Sequence, residues 1–496
     1  MLRRLFVWLL SAVVVLALVV GFKTLTTHSR QFEVAPLPAL VVNQEAVADH
    51  LAAAVRAKTV FSFLEPDQGA AQFQQLQRNL VSHFPKLHQA LTHEVINGQA
   101  LLYTWAGSNT AANPILLLAH QDVVPIAPGT EELWQLPPFS GARKDGYIWG
   151  RGAWDNKSNL IAQFEAVEML LASDFKPERT IYLALTHDEE VARHDAQIIA
   201  DLLAKRGVKL DFVLDEGLLI TDGIMPGLST PVALIGVAEK GYMSVQLKAT
   251  ATPGHSSMPP APGSSAIAQL SAALNQLETH QFPAHLGGVA REMLETVAPE
   301  MHGFGRVALS NLWLFGPLVR RQLESAGGST GAMLHTTTAL TIIHAGNKEN
   351  VLPGLAEATV NFRLLPGDTT DSVIRHVTRT IANDKIDIKP LLVEASDPSP
   401  VASSSAPSYQ LINRTVREVF PGVLVAPSLM VAATDSRRFV EISDHIYKFS
   451  PVRATKDDLS RFHGTNERIS ESNLVEMVRF YHRLITQGSI AQKLPE

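Results

Sequence analysis

Three short apolar runs in this chain end in acidic or imidazole side chains. Ile115-Leu116-Leu117-Leu118-Ala119 leads into His120-Gln121-Asp122, Thr180-Ile181-Tyr182-Leu183-Ala184-Leu185-Thr186 leads to Glu189-Glu190, and Phe212-Val213-Leu214 leads to Asp215. Apolar runs without polar alternation are typical of strands covered on both faces, as in a parallel sheet. Helical stretches lie among them, from Ser158 to Ala172 and from Asp195 to Arg206, so the region to about Glu239 reads as an α/β unit. Parallel strands point the same way, and such a sheet delivers these side chains to one edge.

A dry strand end is a costly place for carboxylates, so a cluster there is paired with cations or holds a metal ion. No run of Lys or Arg accompanies these acids. The 496 residues contain no cysteine, which leaves His and carboxylate as the ligands of any metal site and excludes disulfides. With Asp155 and His463 added, the set of two His and several carboxylates suits Zn²⁺ or a similar divalent ion, and suffices for two ions if one carboxylate bridges. Asp122, two residues beyond His120 on an extended chain, is placed to accept from the second imidazole nitrogen. Glu189 and Glu190 are adjacent, so an extended backbone aims them apart: one for metal, one for a proton. The net charge of -6 gives no reason to expect nucleic acid as a partner.

Residues 1–23 differ in kind. Leu5 to Phe22 is almost continuously apolar behind Arg3 and Arg4, close to the ~20 residues that a membrane-spanning helix needs. A signal anchor that exports the body (periplasmic, extracellular or lumenal) is the leading expectation. A cleaved signal peptide, leaving a secreted protein, is the alternative. Residues 24–40, with Pro36 and Pro38, read as a linker. The following body is expected to divide in two: 41–242 plus 398–496 as one domain, and 243–397 as an insertion. Strand-like Met243 to Ala249, helical Ser264 to Leu277, strand-like Thr338 to His344 and Ala356 to Leu364, helical Asp371 to Ala382 and strand-like Ile386 to Val393 follow the β-α-β-β-α-β order of ferredoxin-like units. An extra segment, 281–337, interrupts it. A helix from Glu471, capped by Ser470, closes the chain with Leu474, Met477, Val478 and Tyr481 on one face. Gly327-Gly328-Ser329-Thr330-Gly331 fits the Gly-x-Ser-x-Gly pattern of a serine nucleophile, but no strand-like run precedes it.

An ordered set of motifs carries a resemblance to a known family. Leu118-Ala119-His120-Gln121-Asp122-Val123-Val124-Pro125, Trp149-Gly150-Arg151-Gly152-Ala153-Trp154-Asp155-Asn156-Lys157, His187-Asp188-Glu189-Glu190, Leu214-Asp215-Glu216-Gly217, Gly254-His255-Ser256-Ser257 and Phe462-His463-Gly464-Thr465-Asn466-Glu467 resemble the M20 metallopeptidases and amidohydrolases. Within that family the chain is most similar to the branch of carboxypeptidase S and the secreted N-acyl amino acid hydrolases. The resemblance implies a mostly parallel-sheet zinc-hydrolase catalytic domain with an inserted ferredoxin-like α+β lid. It implies two Zn²⁺ ions, or other divalent metals, with Asp155 bridging, His120 and Asp215 on one ion and Glu190 and His463 on the other. Glu189 would be the general base, Asp122 the group that aims His120, and His255 the oxyanion donor on the lid. Asn350 and Arg363 would hold the substrate carboxylate. The expected activity is hydrolysis of an amide bond beside a free α-carboxylate, in a short peptide or an N-acyl amino acid. A dipeptidase or aminoacylase of the same family is the alternative enzyme, and a catalytically silent, membrane-anchored metal-binding scaffold the alternative of another class. Homodimerisation through the lid is left open by the resemblance.

Overall fold

A computed structural model describes residues 1–61, 66–191, 194–225 and 227–490. Among these residues the largest sheet has eight strands in the order Thr92–Ile96, Ala100–Trp105, Ile181–Thr186, Ile115–His120, Phe212–Thr221, Ile446–Ala454, Val232–Glu239 and Leu424–Met430. Its centre, from Ile181–Thr186 to Ile446–Ala454, is parallel, and antiparallel pairings occur toward both edges.

The apolar runs behave as both-face burial requires. Every residue of Ile115–His120 and Ile181–Thr186 is buried. Side chains alternate between two cores with the period of two that a strand imposes. Ile115, Leu117, Ile181, Leu183 and Leu185 pack toward Leu160, Phe164, Leu474, Val478 and Tyr481 of the helices Lys157–Ala172 and Glu471–Gly488. Leu116, Leu118, Tyr182 and Ala184 face Ala196, Ile199 and Leu203 of the helix His194–Lys205. The last helix is capped as its sequence suggests, with Ser470 accepting from the Asn473 amide.

The chain leaves this sheet at Glu239 and, after Lys240, enters a second one. Its strand order is Thr337–His344, Leu355–Leu364, Gly241–Thr250 and Ile386–Ser396, all antiparallel. By chain position that is second, third, first, fourth, the ferredoxin-like arrangement. Met243, Val245, Leu247, Val360 and Phe362 on one face meet Leu270 and Leu274 of the helix Ala266–Thr279 and Val373 and Val377 of the helix Thr370–Ile381.

The extra segment does not stay with that small sheet. Its helix Gly288–Val297 lies over the edge strand Leu424–Met430, where Met293, Leu294 and Val297 pack with Val232 and Ala426. At the backbone edge of that strand the Gln31 side chain accepts from the Val425 amide at 2.9 Å and donates to its carbonyl at 3.0 Å, which blocks unwanted strand pairing there. Ser329 sits in the short helix Gly328–Ala332, directly after the helix Leu312–Ala326. With no strand before it, it lacks the turn that a nucleophile elbow requires.

Gly241 marks the crossing between the two sheets. A Cβ there would lie 2.5 Å from the Ser396 carbonyl oxygen and 2.7 Å from the Pro398 nitrogen, where the chain returns. Gly241→Ala must push these backbones apart and should destabilise the protein by about 1–3 kcal/mol. Gly287→Ala, which meets nothing within 4 Å, should stay within about 0.5 kcal/mol of the parent. Urea unfolding of both variants measures the difference.

Candidate metal centre

The last residue of Ile115–His120 pairs with the last of Ile181–Thr186, so both strands end at the same edge. There His120 Nε2 lies 3.1 Å from Asp155 Oδ1. The second oxygen of Asp155 is 2.8 Å from His463 Nε2. One buried carboxylate therefore stands between two imidazoles that are far apart in sequence. His463 Nε2 also lies 3.4 Å from Glu190 Oε1. Asp122 organises the opposite side: its carbonyl is 2.9 Å from His120 Nδ1, its Oδ1 is 3.3 Å from the same nitrogen, and its Oδ2 accepts from the Glu190 amide at 3.0 Å. It thus orients an imidazole by one end and a neighbouring acid's backbone by the other.

At the third strand the structure departs from the expectation. The oxygens of Asp215 accept from the amides of Glu216 and Ser436, each at 2.8 Å. Glu216 takes the position toward the site, with Oε1 3.3 Å from His120 Nε2 and Oε2 accepting from the Asn156 side-chain amide. The cause is an irregularity in strand pairing. Lys448 pairs with Asp215, but the next pair is Phe449 with Leu218, so Glu216 and Gly217 have no partners. An unpaired bulge re-aims the side chain that it carries. Gly217, at φ 137°, permits it; a Cβ there would lie 2.9 Å from Lys448 Cβ. The carboxylate 3.3 Å from His120 is that of Glu216, while Asp215 is bonded to the backbone on either side of the bulge.

Two overlapping groups bring ligand-type atoms within 4.8 Å of one another: His120, Asp155 and Glu190, and His120, Glu189 and Glu216. Glu189 and Glu190 thus each reach the cluster. Without a cation these groups repel and desolvate one another. Burial drives Glu216 up to about 8, against the pull of His120, and burial together with Asp155 raises Glu190. Burial would lower His463, yet Asp155 and Glu190 outweigh it and carry it up to about 10. Burial would likewise raise Asp155, but His120 and His463 hold it well below the usual carboxylate range. Among the described residues the buried Glu190 Oε1 has no hydrogen-bond partner, only the ion-pair contact with His463 at 3.4 Å. Protons here occupy places that a divalent ion can fill, and oxygen and imidazole donors without thiolate suit zinc or a similar metal. The residues present fit such an ion.

Two side chains quoted in the motifs, but without a role, support the cluster. Arg151 and Glu467 form a buried ion pair at 2.6 Å. Arg151 Nη2 donates to the carbonyls of His463 and Gly464 at 3.0 and 2.9 Å, and Glu467 Oε1 accepts from the amides of Trp154 and Asp155 at 2.9 and 3.1 Å. His463 itself sits at φ 57°, a conformation that non-glycine residues adopt only when the surroundings hold it. The pair thereby ties the His463 loop to the Asp155 backbone. Opposite charges in two glycine-containing motifs were the available signal, but their partnership depends on the fold.

The remaining expected residues lie on the small sheet's side of the molecule. His255 is exposed on a two-residue strand, Gly254–His255, paired with Val351–Leu352, and its Nδ1 is 2.8 Å from Ser257 Oγ. Asn350 is its neighbour, since its carbonyl accepts from the Ser256 amide at 3.1 Å. The Arg363 guanidinium lies 4.8 Å from the centroid of the Tyr242 ring. The structure brings His255 and Asn350 together, and none of the three belongs to the two ligand-distance groups.

Metal analysis separates the neighbouring acids of the bulge. Glu216→Ala should lower bound metal by about one equivalent per chain, whereas Asp215→Asn should retain most metal and lower the unfolding midpoint instead. The opposite ranking by elemental mass spectrometry would reinstate Asp215 as a ligand. Glu467→Gln removes the countercharge of buried Arg151 and should cost about 3–5 kcal/mol in urea unfolding.

Residues 116–487 match Peptidase family M20/M25/M40. Over 454 residues the chain is 42% identical to an N-fatty-acyl-amino acid synthase/hydrolase of Xenopus tropicalis, covering 90% of this chain and 87% of that protein. Over 445 residues it is 40% identical to the probable carboxypeptidase S-like 2 of Dictyostelium discoideum, with 88% and 84% covered. Among solved structures, human carnosine dipeptidase 1 has a TM-score of 0.60 at 18% identity, covering 90% of this chain and 96% of that one. An M20 family metallo-carboxypeptidase from Sulfolobus solfataricus has a TM-score of 0.61 at 17% identity, covering 90% and 99%. At these identities the two structures share the fold.

Proposed function

Because the chain belongs to peptidase family M20/M25/M40, we propose that it is a two-zinc amidohydrolase acting on the amide bond next to a free α-carboxylate, in N-acyl amino acids and short peptides. The observation that carries this reading is the set of imidazoles and carboxylates around Asp155, with a further acid, Glu189, at the same edge. His120, Asp155, Glu190, Glu216 and His463 would hold the metal. A pair of divalent ions supplies Lewis acidity for a carbonyl oxygen.

Glu189 takes the proton of the attacking water and later delivers it to the leaving nitrogen as the C–N bond breaks. Asp122 keeps His120 in one orientation, and Arg151 with Glu467 keeps His463 beside Asp155. We assign residues 41–242 with 398–496 to the catalytic body and 243–397 to a lid. The lid carries His255, whose imidazole would donate to the developing oxyanion. Asn350, beside it, and Arg363 would take the substrate carboxylate. The names of the relatives, a fatty-acyl-amino acid synthase/hydrolase and a carboxypeptidase, favour apolar acyl groups and peptides respectively.

The apolar helix Leu2–Thr26 is long enough to cross a membrane. We assign it as an anchor that exports the catalytic body; a cleaved signal sequence passes the same test of length and composition.

Glu189→Gln should keep its zinc while turnover falls about 10²–10⁴-fold, the range for losing a general base. Mass spectrometry of purified, zinc-loaded protein with mixed N-acyl amino acids and short peptides reads both activity and acyl preference. Unchanged hydrolysis in Glu189→Gln, or after complete chelation, would rule the mechanism out.

A further inference from the structure

The helices of the extra segment carry an apolar surface that the fold does not use. Within Leu312–Ala326, Leu312 and Val319 are buried against the main body. The opposite face of a surface helix is ordinarily polar. Here its first two turns hold Trp313, Leu314, Pro317 and Leu318, with Trp313 50% and Leu318 51% exposed, before the exposed Arg321 and Ser325 follow. Phe304, 61% exposed on the helix Gly303–Ser310, adds to this surface, its ring 5.5 Å from that of Phe315.

The surface adjoins the end of the N-terminal helix. Asn311 Nδ2 donates to Thr24 Oγ1 at 2.9 Å and to the Val20 carbonyl at 3.3 Å, while Asn311 Oδ1 accepts from Trp313 Nε1 at 3.2 Å. From Leu2 to Val20 a helix rises about 27 Å at ~1.5 Å per residue. That is close to the ~30 Å thickness of a bilayer's hydrocarbon core. If the N-terminal helix spans a membrane, Asn311 and Trp313 stand where hydrocarbon gives way to headgroups, a level at which Trp is favoured.

Charge at the same place points to the same partner. A cleft of about 290 Å³ between the two parts is lined by Lys23, His28, Arg30, Arg291, Glu295 and Trp313, among others. Glu295 pairs with both Arg30, at 3.0 Å, and Arg291, at 2.8 Å, and with Lys23 the lining holds three Lys and Arg side chains to one carboxylate. Such a surplus beside an apolar face suits the phosphates of anionic lipids.

We propose that the helices Gly303–Ser310 and Leu312–Ala326 dock on the bilayer surface, inserting Phe304, Trp313 and Leu318 at headgroup level, with Lys23, Arg30 and Arg291 facing lipid phosphate. This rests on reading Leu2–Thr26 as a membrane span. The catalytic body is then held against the membrane at a second place besides its anchor, with a fixed side toward the lipid.

The absence of cysteine allows a direct test. Single variants Val13→Cys, Phe304→Cys, Leu318→Cys and Lys385→Cys of the full chain are spin-labelled and placed in vesicles of phosphatidylcholine with phosphatidylglycerol. Each is first shown to keep the parent circular dichroism. Relaxation by oxygen, which partitions into lipid, is compared with that by a water-soluble nickel chelate. Labels at 304 and 318 should show an oxygen-to-nickel ratio severalfold above that at 385. Ratios equal to that at 385, with the label at 13 in lipid, would overturn docking and leave the anchor standing. A water-exposed label at 13 with lipid-exposed labels at 304 and 318 would overturn the anchor, and with it the two-point attachment, leaving these helices as the membrane contact. Water exposure at 13, 304 and 318 alike would overturn both.

Discussion

The site's geometry turns on Asp155, a single buried carboxylate flanked by two imidazoles. Its oxygens lie 3.1 and 2.8 Å from His120 and His463, whose positions in the chain are set by different elements. A lone carboxylate at such depth is penalised by desolvation, and here the imidazoles more than compensate. For both to reach it, the strand ending at His120, the turn before Lys157–Ala172 and the loop at His463 must meet at one sheet edge. The parallel centre of the sheet provides that edge, because its strands all end on the same side.

Around this carboxylate, support comes from residues that need not touch a substrate. Asp122 connects His120 to the Glu190 backbone, and Glu467 connects the Asp155 backbone to Arg151 and so to the His463 carbonyl. Asn156 and Asp215 do the same for Glu216. His120, Asp155, Glu190, Glu216 and His463 are thus held through their neighbours, which would keep their donor atoms in place for a metal ion.

Much of the fold was legible because burial on both faces leaves a plain trace in sequence. Ile115–His120 and Ile181–Thr186 read as strands since nothing polar interrupts them, and the small sheet read as ferredoxin-like since its element order is unusual. The strand Phe212–Thr221 was legible only as far as Leu214. Beyond it the bulge at Glu216 and Gly217 depends on pairing with Ile446–Ala454, more than two hundred residues away. The resemblance implied Asp215 at this place, and the register of a distant strand brings the Glu216 carboxylate to 3.3 Å from His120. The packing of Met293 and Val297 on the main sheet was hidden for a similar reason, since their sequence neighbours belong to the small one.

By itself, then, the sequence determined the residue types at the site, the exclusion of thiolate ligands, the α/β order and the apolar N-terminal helix. These follow from composition and local periodicity, which the chain carries along its length. Tertiary structure alone decided which acid lies beside His120, that Arg151 and Glu467 share one buried ion pair, and that Asn311 joins Trp313 to Thr24. Each of those outcomes depends on strand register or on contacts between distant segments, and neither is encoded in the spacing of residues along one element.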